Sequence, residues 1–184
     1  VIAIEPLAEM RAVLAREVPD AEPLAATAEQ TTLPEASLDA VAAGQAFHWF
    51  RADEALREIA RVLRPGGAFG LIWNVRDPDD RLQAQLGELL SPYRRGTPSR
   101  GGRRWDRVVA AFPTFATVEQ RSFAWTAELS AEGFVERVAT TSVVAALAEE
   151  PRHALLAQVR GLVSGLPEPV AFSYRTDVSV YRRV

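Results

Sequence analysis

The chain of 184 residues contains no cysteine. Disulfides, thiolate metal sites and cysteine nucleophiles are excluded together, and redox logic is silent about compartment. Lysine is equally absent, since all 21 basic residues are arginine, and this removes Schiff-base and lysine-base mechanisms. Histidine is scarce, with His48 and His153 alone. Basic charge is short as well. A formal net charge of -3 leaves no general field to hold a polyanion, so nucleic acid is not an expected partner. No apolar run reaches the roughly 18 residues of a membrane span, and no basic segment leads into an apolar core with a cleavage site. The expectation is a cytoplasmic protein with no membrane partner.

What is present is 48% hydrophobic residues over a one-domain length, enough to bury a substantial core. VIAI, ending at Glu5 and Pro6, has the form of a buried parallel strand leaving its sheet. Leu7, Met10 and Leu14 then recur at helical spacing up to Pro19. Residues 23–26 suggest a brief strand, and LDAVAAG, from Leu38, a buried strand that breaks at Gly44. Asp53 is placed to cap a helix whose Leu56, Ile59, Ala60 and Leu63 form one apolar stripe. Pro65, Gly66 and Gly67 should end it, and residues 68–74 should re-enter the sheet. Strand and helix alternate as in an α/β protein with an open, mostly parallel, Rossmann-like sheet and helices on both faces.

The second half reads differently. Leu82, Leu86, Leu89 and Leu90 mark an amphipathic helix, followed by PYRRGTPSRGGRRWDR, with six arginines between 94 and 107 against the single acid Asp106. This is either a clamp for an anionic acceptor or a solvated loop. Residues 77–116 are expected to form a lid or substrate insert in a single domain spanning 1–184. Phe123, Trp125, Ala127 and Leu129 alternate, which predicts a strand with one buried face. Ser130 should cap a helix carrying Phe134 and Val138, and Pro151 should open another that closes at Gly165. Val170, Phe172, Tyr174, Val178 and Val180 fall on one face of a last strand, whose clean alternation suits an antiparallel position.

An acid ending an early strand (Glu5), the pair Ala28 and Glu29 before Leu33 and Pro34, Ser37 to Asp39 entering a strand, QAFHWF at 45–50 and LREIARVLRPGG at 56–67 come in a telling order. Together they resemble a class I S-adenosylmethionine-dependent methyltransferase of the methyltransferase-type-11-like, small-molecule branch. The resemblance is strongest over residues 1–76, and YRTDVSVYRR at 174–183 is similar to that family's antiparallel closing strand. It implies S-adenosylmethionine as cofactor and methyl transfer to an O, N or C atom of a small-molecule acceptor by in-line displacement. It also implies that the family's first strand and its glycine-rich loop are absent from this chain, upstream of Val1. Two apolar strands left open in that way would invite edge association or a strand-exchanged homodimer.

The resemblance assigns Glu5 to the ribose hydroxyls, since a carboxylate at the carboxyl end of a parallel strand can accept hydrogen bonds from both. Pro6 and Leu7 would line the adenine, Ala28 and Glu29 would meet its edge, and Gln45 and Ala46 would flank the methionine part. The bland reading of Glu5 is an acid near a helix N-terminus, where it favours the dipole. His48 could take a proton from the acceptor as a catalytic base. Alternatively His48, Trp49 and Phe50 form an aromatic cluster that packs the next helix or, at Trp49 and Phe50, shapes the substrate pocket. No metal site is expected. Two other readings compete: a non-catalytic binding module that keeps the sheet, and a nicotinamide oxidoreductase, with which a lone acid after a strand is shared.

Overall fold

A computed structural model describes residues 1–94 and 105–184. Four of the six arginines of the 94–107 stretch, and with them the centre of the anticipated insert, lie outside the described residues. The described chain divides into two compact units, one of residues 1–72, 105–120 and 178–184, the other of 73–94 and 121–177.

In the first unit, β1 (Ile2–Ile4) and β2 (Glu22–Leu24) pair in parallel from Ile2 with Glu22 to Ile4 with Leu24. The intervening helix α1 (Ala8–Glu17) stops short of Pro19, with the Val18 N–H donating to the Leu14 carbonyl at 2.8 Å. No residue of α1 is buried. A second parallel pair joins β3 (Leu38–Gly44) to β4 (Leu63–Arg76) across helix α2 (Ala52–Val62). With β5 (Phe115–Leu129) and β6 (Val170–Arg183) they form a four-stranded sheet in the order β3-β4-β6-β5. The class is α/β as expected, but the single open sheet is replaced by a two-stranded and a four-stranded one, because β1 and β2 hydrogen-bond to each other and to no other described strand.

Two local expectations near α2 need correction. The N-cap is Arg51 and not Asp53, which lies in the first turn beside Glu54. The helix does end at Val62, but the Arg-Pro-Gly-Gly run is not a turn outside the sheet. It is a bulge within β4: Leu38 faces Leu63 and Ala40 faces Ala68, so Arg64 to Gly67 oppose Asp39 alone. Arg64 clamps the bulge through a 2.5 Å contact to Asp39. A Cβ on Gly67 would fall 2.9 Å from the Arg64 carbonyl oxygen and 3.2 Å from that of Asp39, and Gly66 sits at φ +79, where glycine alone is unstrained.

The first unit's core is aromatic. Phe47 is fully buried, with ring centroids 5.4 Å from Trp105 and 6.0 Å from Phe69. Trp105 arrives on α4 (Trp105–Ala110), and Phe69 also meets Phe115 at 5.6 Å and Tyr181 at 5.9 Å. Burying a phenylalanine side chain contributes about 1.5–3 kcal/mol. The second unit's core is mainly aliphatic, built by α3 (Arg81–Leu90), α5 (Ala131–Ala139), α6 (Ser142–Ala145) and α7 (Glu149–Val163) with the first part of β6. Ser130 caps α5 as predicted, its Oγ accepting from the Gly133 N–H at 3.1 Å, and Asp80 caps α3 through the Gln83 N–H at 2.9 Å.

Two strand readings also change. β5 begins at Phe115, and Phe123 and Trp125 stay 50% and 39% exposed, whereas Ala127 and Leu129 pack against the second unit's core, so the alternating face is covered only at the strand's end. On β6 the even positions Val170, Phe172 and Tyr174 are buried as predicted, but further along it is Tyr181, of the opposite parity, that is buried, while Val178 and Val180 are not. Each part of β6 follows the core its own unit offers.

Candidate functional site

The residues marked in the sequence lie where parallel strands of the first unit end. At the end of β1, the Glu5 N–H donates to the Leu24 carbonyl at 3.1 Å, which ties this corner to the exit from β2. The Glu5 side chain accepts the Leu7 N–H at 2.8 Å through Oε1, satisfying a donor at the start of α1. The Arg11 guanidinium donates to the Glu5 and Pro6 carbonyls at 2.8 and 2.7 Å. The corner is thereby rigid, with Pro6 and Leu7 exposed beside a half-buried carboxylate. An ionised carboxylate has about four acceptor positions, more than the Leu7 bond uses.

Beyond β2, Ala28 and Glu29 sit at the tip of a turn closed by the Gln30 N–H on the Thr27 carbonyl at 3.2 Å. The Glu29 Oε1 accepts the Arg51 N–H at 2.8 Å, and supplies the cap for α2 that no side chain within that helix provides. Burial raises the Glu29 pKa, but hydrogen bonds from the Arg51 and Glu29 backbone and the Thr27 side chain, with the Arg51 charge, outweigh it and hold the carboxyl below its ordinary value. Glu29 thus joins the turn to the segment that follows β3.

Behind this turn lies a network that the sequence reading missed. Glu58, buried on α2, accepts the Thr31 N–H and hydroxyl through Oε1 at 2.8 and 2.6 Å. Arg61 donates to both Glu58 oxygens at 2.7 and 2.8 Å and to the Leu33 carbonyl at 2.7 Å. The Arg61 hydrogen bond, against the cost of burial and helped by Thr31, lowers the Glu58 pKa to about 2. One signal was available: an acid between Leu56 and Ile59, inside the apolar stripe, with arginine three residues on.

After β3 the chain turns sharply. Gln45 adopts φ 54, a left-handed conformation that costs a residue with a Cβ about 1 kcal/mol or more. Its N–H donates to the Ile72 carbonyl at 3.0 Å. Ala46 opens a single 3-10 turn, Phe47–Trp49, which drives Phe47 into the core. His48 is half-buried with its ring 4.9 Å from that of Trp49, and burial lowers its pKa, favouring the neutral imidazole. Trp49 is 54% exposed, whereas the Phe50 ring turns inward to an edge contact with Phe47 at 5.4 Å. The structure therefore brings Glu29 to the segment at 45–51 and Glu5 to the β2 exit, and leaves His153 exposed on α7.

Such an arrangement can hold a polar nucleoside-like ligand by carboxylate and backbone groups on prebuilt loops, the general position for ligands at the carboxyl ends of parallel strands. Among the described residues no group of three histidine, aspartate or glutamate side chains could hold a metal ion, and no helix is long and apolar enough to cross a membrane.

Residues 1–71 match the family described as Methyltransferase domain. An uncharacterized methyltransferase of Mycobacterium tuberculosis is 38% identical over 167 residues, covering 91% of this chain and 65% of its own length. An uncharacterized methyltransferase-like protein of Schizosaccharomyces pombe is 30% identical over 169 residues, with 91% and 65% covered. The chain spans just under two thirds of the length of these relatives. A structure provisionally assigned as a type II methyltransferase of Anaeromyxobacter dehalogenans superposes with a TM-score of 0.70 at 25% identity, covering 99% of this chain and 80% of that one. The geranyl diphosphate C-methyltransferase of Streptomyces coelicolor, solved with magnesium, geranyl diphosphate and S-adenosyl-L-homocysteine, shares the fold at 14% identity, with a TM-score of 0.53 and coverage of 100% and 62%.

Proposed function

Because the chain belongs to the class I methyltransferase family, we propose that it transfers a methyl group from S-adenosylmethionine to an O, N or C atom of a small-molecule acceptor, by in-line displacement. The observation that carries this reading is the shared location of the family's binding positions at parallel strand ends. Glu5 follows β1, Ala28 and Glu29 follow β2, and Gln45 and Ala46 follow β3. The residues fit the cofactor: a half-buried carboxylate held by its own corner suits a ribose diol, and the strained Gln45 backbone suits a place where a ligand comes close.

The cofactor when bound supplies a methyl carbon already activated by its sulfonium, so the protein's task is positioning. Glu5 accepts from the two ribose hydroxyls, while Pro6 and Leu7 cover one side of the adenine. Ala28 meets the adenine edge through its backbone, and Glu29, engaged by the Arg51 N–H, holds the Ala28 turn in place. Gln45 and Ala46 orient the methionine part. His48 shapes the acceptor pocket with Trp49; Phe50, packed on Phe47, supports them from behind. A carboxylate or neutral amine acceptor needs no strong base at neutral pH, so His48 need not move a proton.

Calorimetric titration with S-adenosylmethionine, S-adenosylhomocysteine and NAD(H) tests the class. Binding heat with the first two and none with the third is expected. The reverse pattern would establish an oxidoreductase, and no heat with any of them a non-catalytic module.

A further inference from the structure

The turn from Thr27 to Gln30, which carries Ala28 and Glu29, is fastened to α2 at two places. Glu29 accepts the Arg51 N–H at the start of the helix, and Thr31, next after the turn, donates its N–H and hydroxyl to the Glu58 Oε1 at 2.8 and 2.6 Å. Arg51 and Glu58 are about two helical turns apart, roughly 10 Å along the helix. Two anchors at that separation fix the orientation of the turn as well as its position.

The chain that follows is held under strain. Thr32 has φ 62 and stands between the Glu58 bonds at Thr31 and the Arg61 bond to the Leu33 carbonyl at 2.7 Å. A β-branched residue in the left-handed region is an outlier that persists only where its surroundings hold it. The Thr32 hydroxyl donates to the Thr31 carbonyl at 2.6 Å, and the Thr31 Oγ1 accepts the Leu33 N–H at 3.4 Å. Ala36, at φ 50, likewise has its N–H on the Arg61 carbonyl at 2.9 Å. Glu58 is buried and ionised, with the Arg61 guanidinium on both of its oxygens, so its bonds to Thr31 are charge-assisted. A relaxed linker would fasten the loop to the helix equally well. This network instead imposes one path on the backbone directly after the turn.

We propose that Thr31, Glu58 and Arg61 are positioning residues for the adenine edge, holding the Ala28 backbone where it separates adenine from a base of the same shape that bears an oxo group in place of the amino group. The inference rests on the S-adenosylmethionine reading. Adenine offers an acceptor at the ring nitrogen beside its amino group, whereas the oxo base carries a hydrogen there. A backbone N–H fixed opposite that nitrogen pairs with the first and is left unpaired by the second, which is how a rigid polar site rejects a near-isostere. If the turn is free to shift, the distinction fades.

The test compares S-adenosylhomocysteine with S-inosylhomocysteine by calorimetry, at a temperature where circular dichroism shows each variant folded. The parent chain is expected to prefer the adenine compound by about tenfold or more, the equivalent of one well-placed hydrogen bond. Thr31→Val, which keeps the side-chain volume and removes the hydroxyl, and Glu58→Gln should each lower that preference by at least about threefold. Thr31→Ser, which keeps the hydroxyl, should retain it. Asp80→Ala, which removes the α3 cap in the other unit, should lower the melting temperature and leave the preference unchanged, so that lost stability alone does not account for the effect. If Glu58→Gln does not fold, the two Thr31 variants decide. A parent-like preference in Thr31→Val, or equal affinity of the parent chain for the two compounds, would overturn this proposal and leave the methyl-transfer reading standing. No binding of either compound by the parent chain would overturn both.

Discussion

In the unit of residues 1–72, 105–120 and 178–184, the acids at the strand ends already hold backbone amides: Glu5 that of Leu7, Glu29 that of Arg51. In the unit of residues 73–94 and 121–177, Asp80 does the same at Gln83 and Ser173. The comparison teaches that a carboxylate engaged with backbone is an architectural device in both units. Residue type alone does not separate such a device from a ligand-binding group. What distinguishes the first unit is that Glu29 engages the segment 45–51, which opens on the strained Gln45, whereas Asp80 joins the start of α3 to β6. The cores differ in kind as well: edge-packed aromatics around Phe47 and Phe69 in one, helix-borne aliphatics around Leu86, Leu90 and Leu155 in the other.

The largest effect should come from the aromatic core. Phe47→Ala is expected to lower unfolding free energy by about 3–5 kcal/mol, against about 0.5 kcal/mol or less for Phe123→Ala on exposed β5. Urea unfolding of the two variants decides it, and equal losses would show that β5 is covered. Next, Glu5→Ala should weaken S-adenosylhomocysteine binding roughly ten- to a hundredfold, about 1.5–3 kcal/mol. Asp80→Ala, which removes a comparable backbone partner, should lower stability and leave that affinity alone. Calorimetry on both variants tests whether the acids of the two units differ in role; an unchanged affinity in Glu5→Ala would sink the ribose assignment.

A third expectation concerns pH. The folded-state pKa of Glu58 is lowered from 4.5 to about 2, so its contribution is fully present above the unfolded pKa and is lost as pH falls through that window. Its size is about 3 kcal/mol. Denaturation midpoints between about pH 6 and pH 3 should fall less steeply in Glu58→Gln than in the parent chain, and parallel curves would remove Glu58 from the account of acid sensitivity. The smallest effect is assigned to His48. His48→Asn should keep turnover within about tenfold, and a hundredfold loss at intact cofactor affinity would make His48 a base.

Legibility in the sequence followed the range of the interaction concerned. α5 could be read from Ser130 and from Phe134 with Val138, because a cap and a helical stripe are spelled within ten residues. α2 could be read from its stripe but its cap could not, since the capping carboxylate comes from Glu29, 22 positions away. Glu58 looked like an interruption of an apolar face until Thr31 and Leu33 were brought to it and to Arg61.

By itself the sequence determined the alternation of strand and helix, most helix boundaries, the ordered series that runs from Glu5 to Gly67, and the exclusion of cysteine and lysine chemistry. Those are properties of local spacing and of residue type. Tertiary structure alone decided that Arg64 to Gly67 bulge against Asp39, that Gln45 is held left-handed, and that Tyr181 rather than Val180 is buried. Strand period assigns alternate residues to opposite faces but does not say which face will find a partner. That depends on side chains such as Phe69, 112 positions earlier in the chain, which only folding brings to Tyr181.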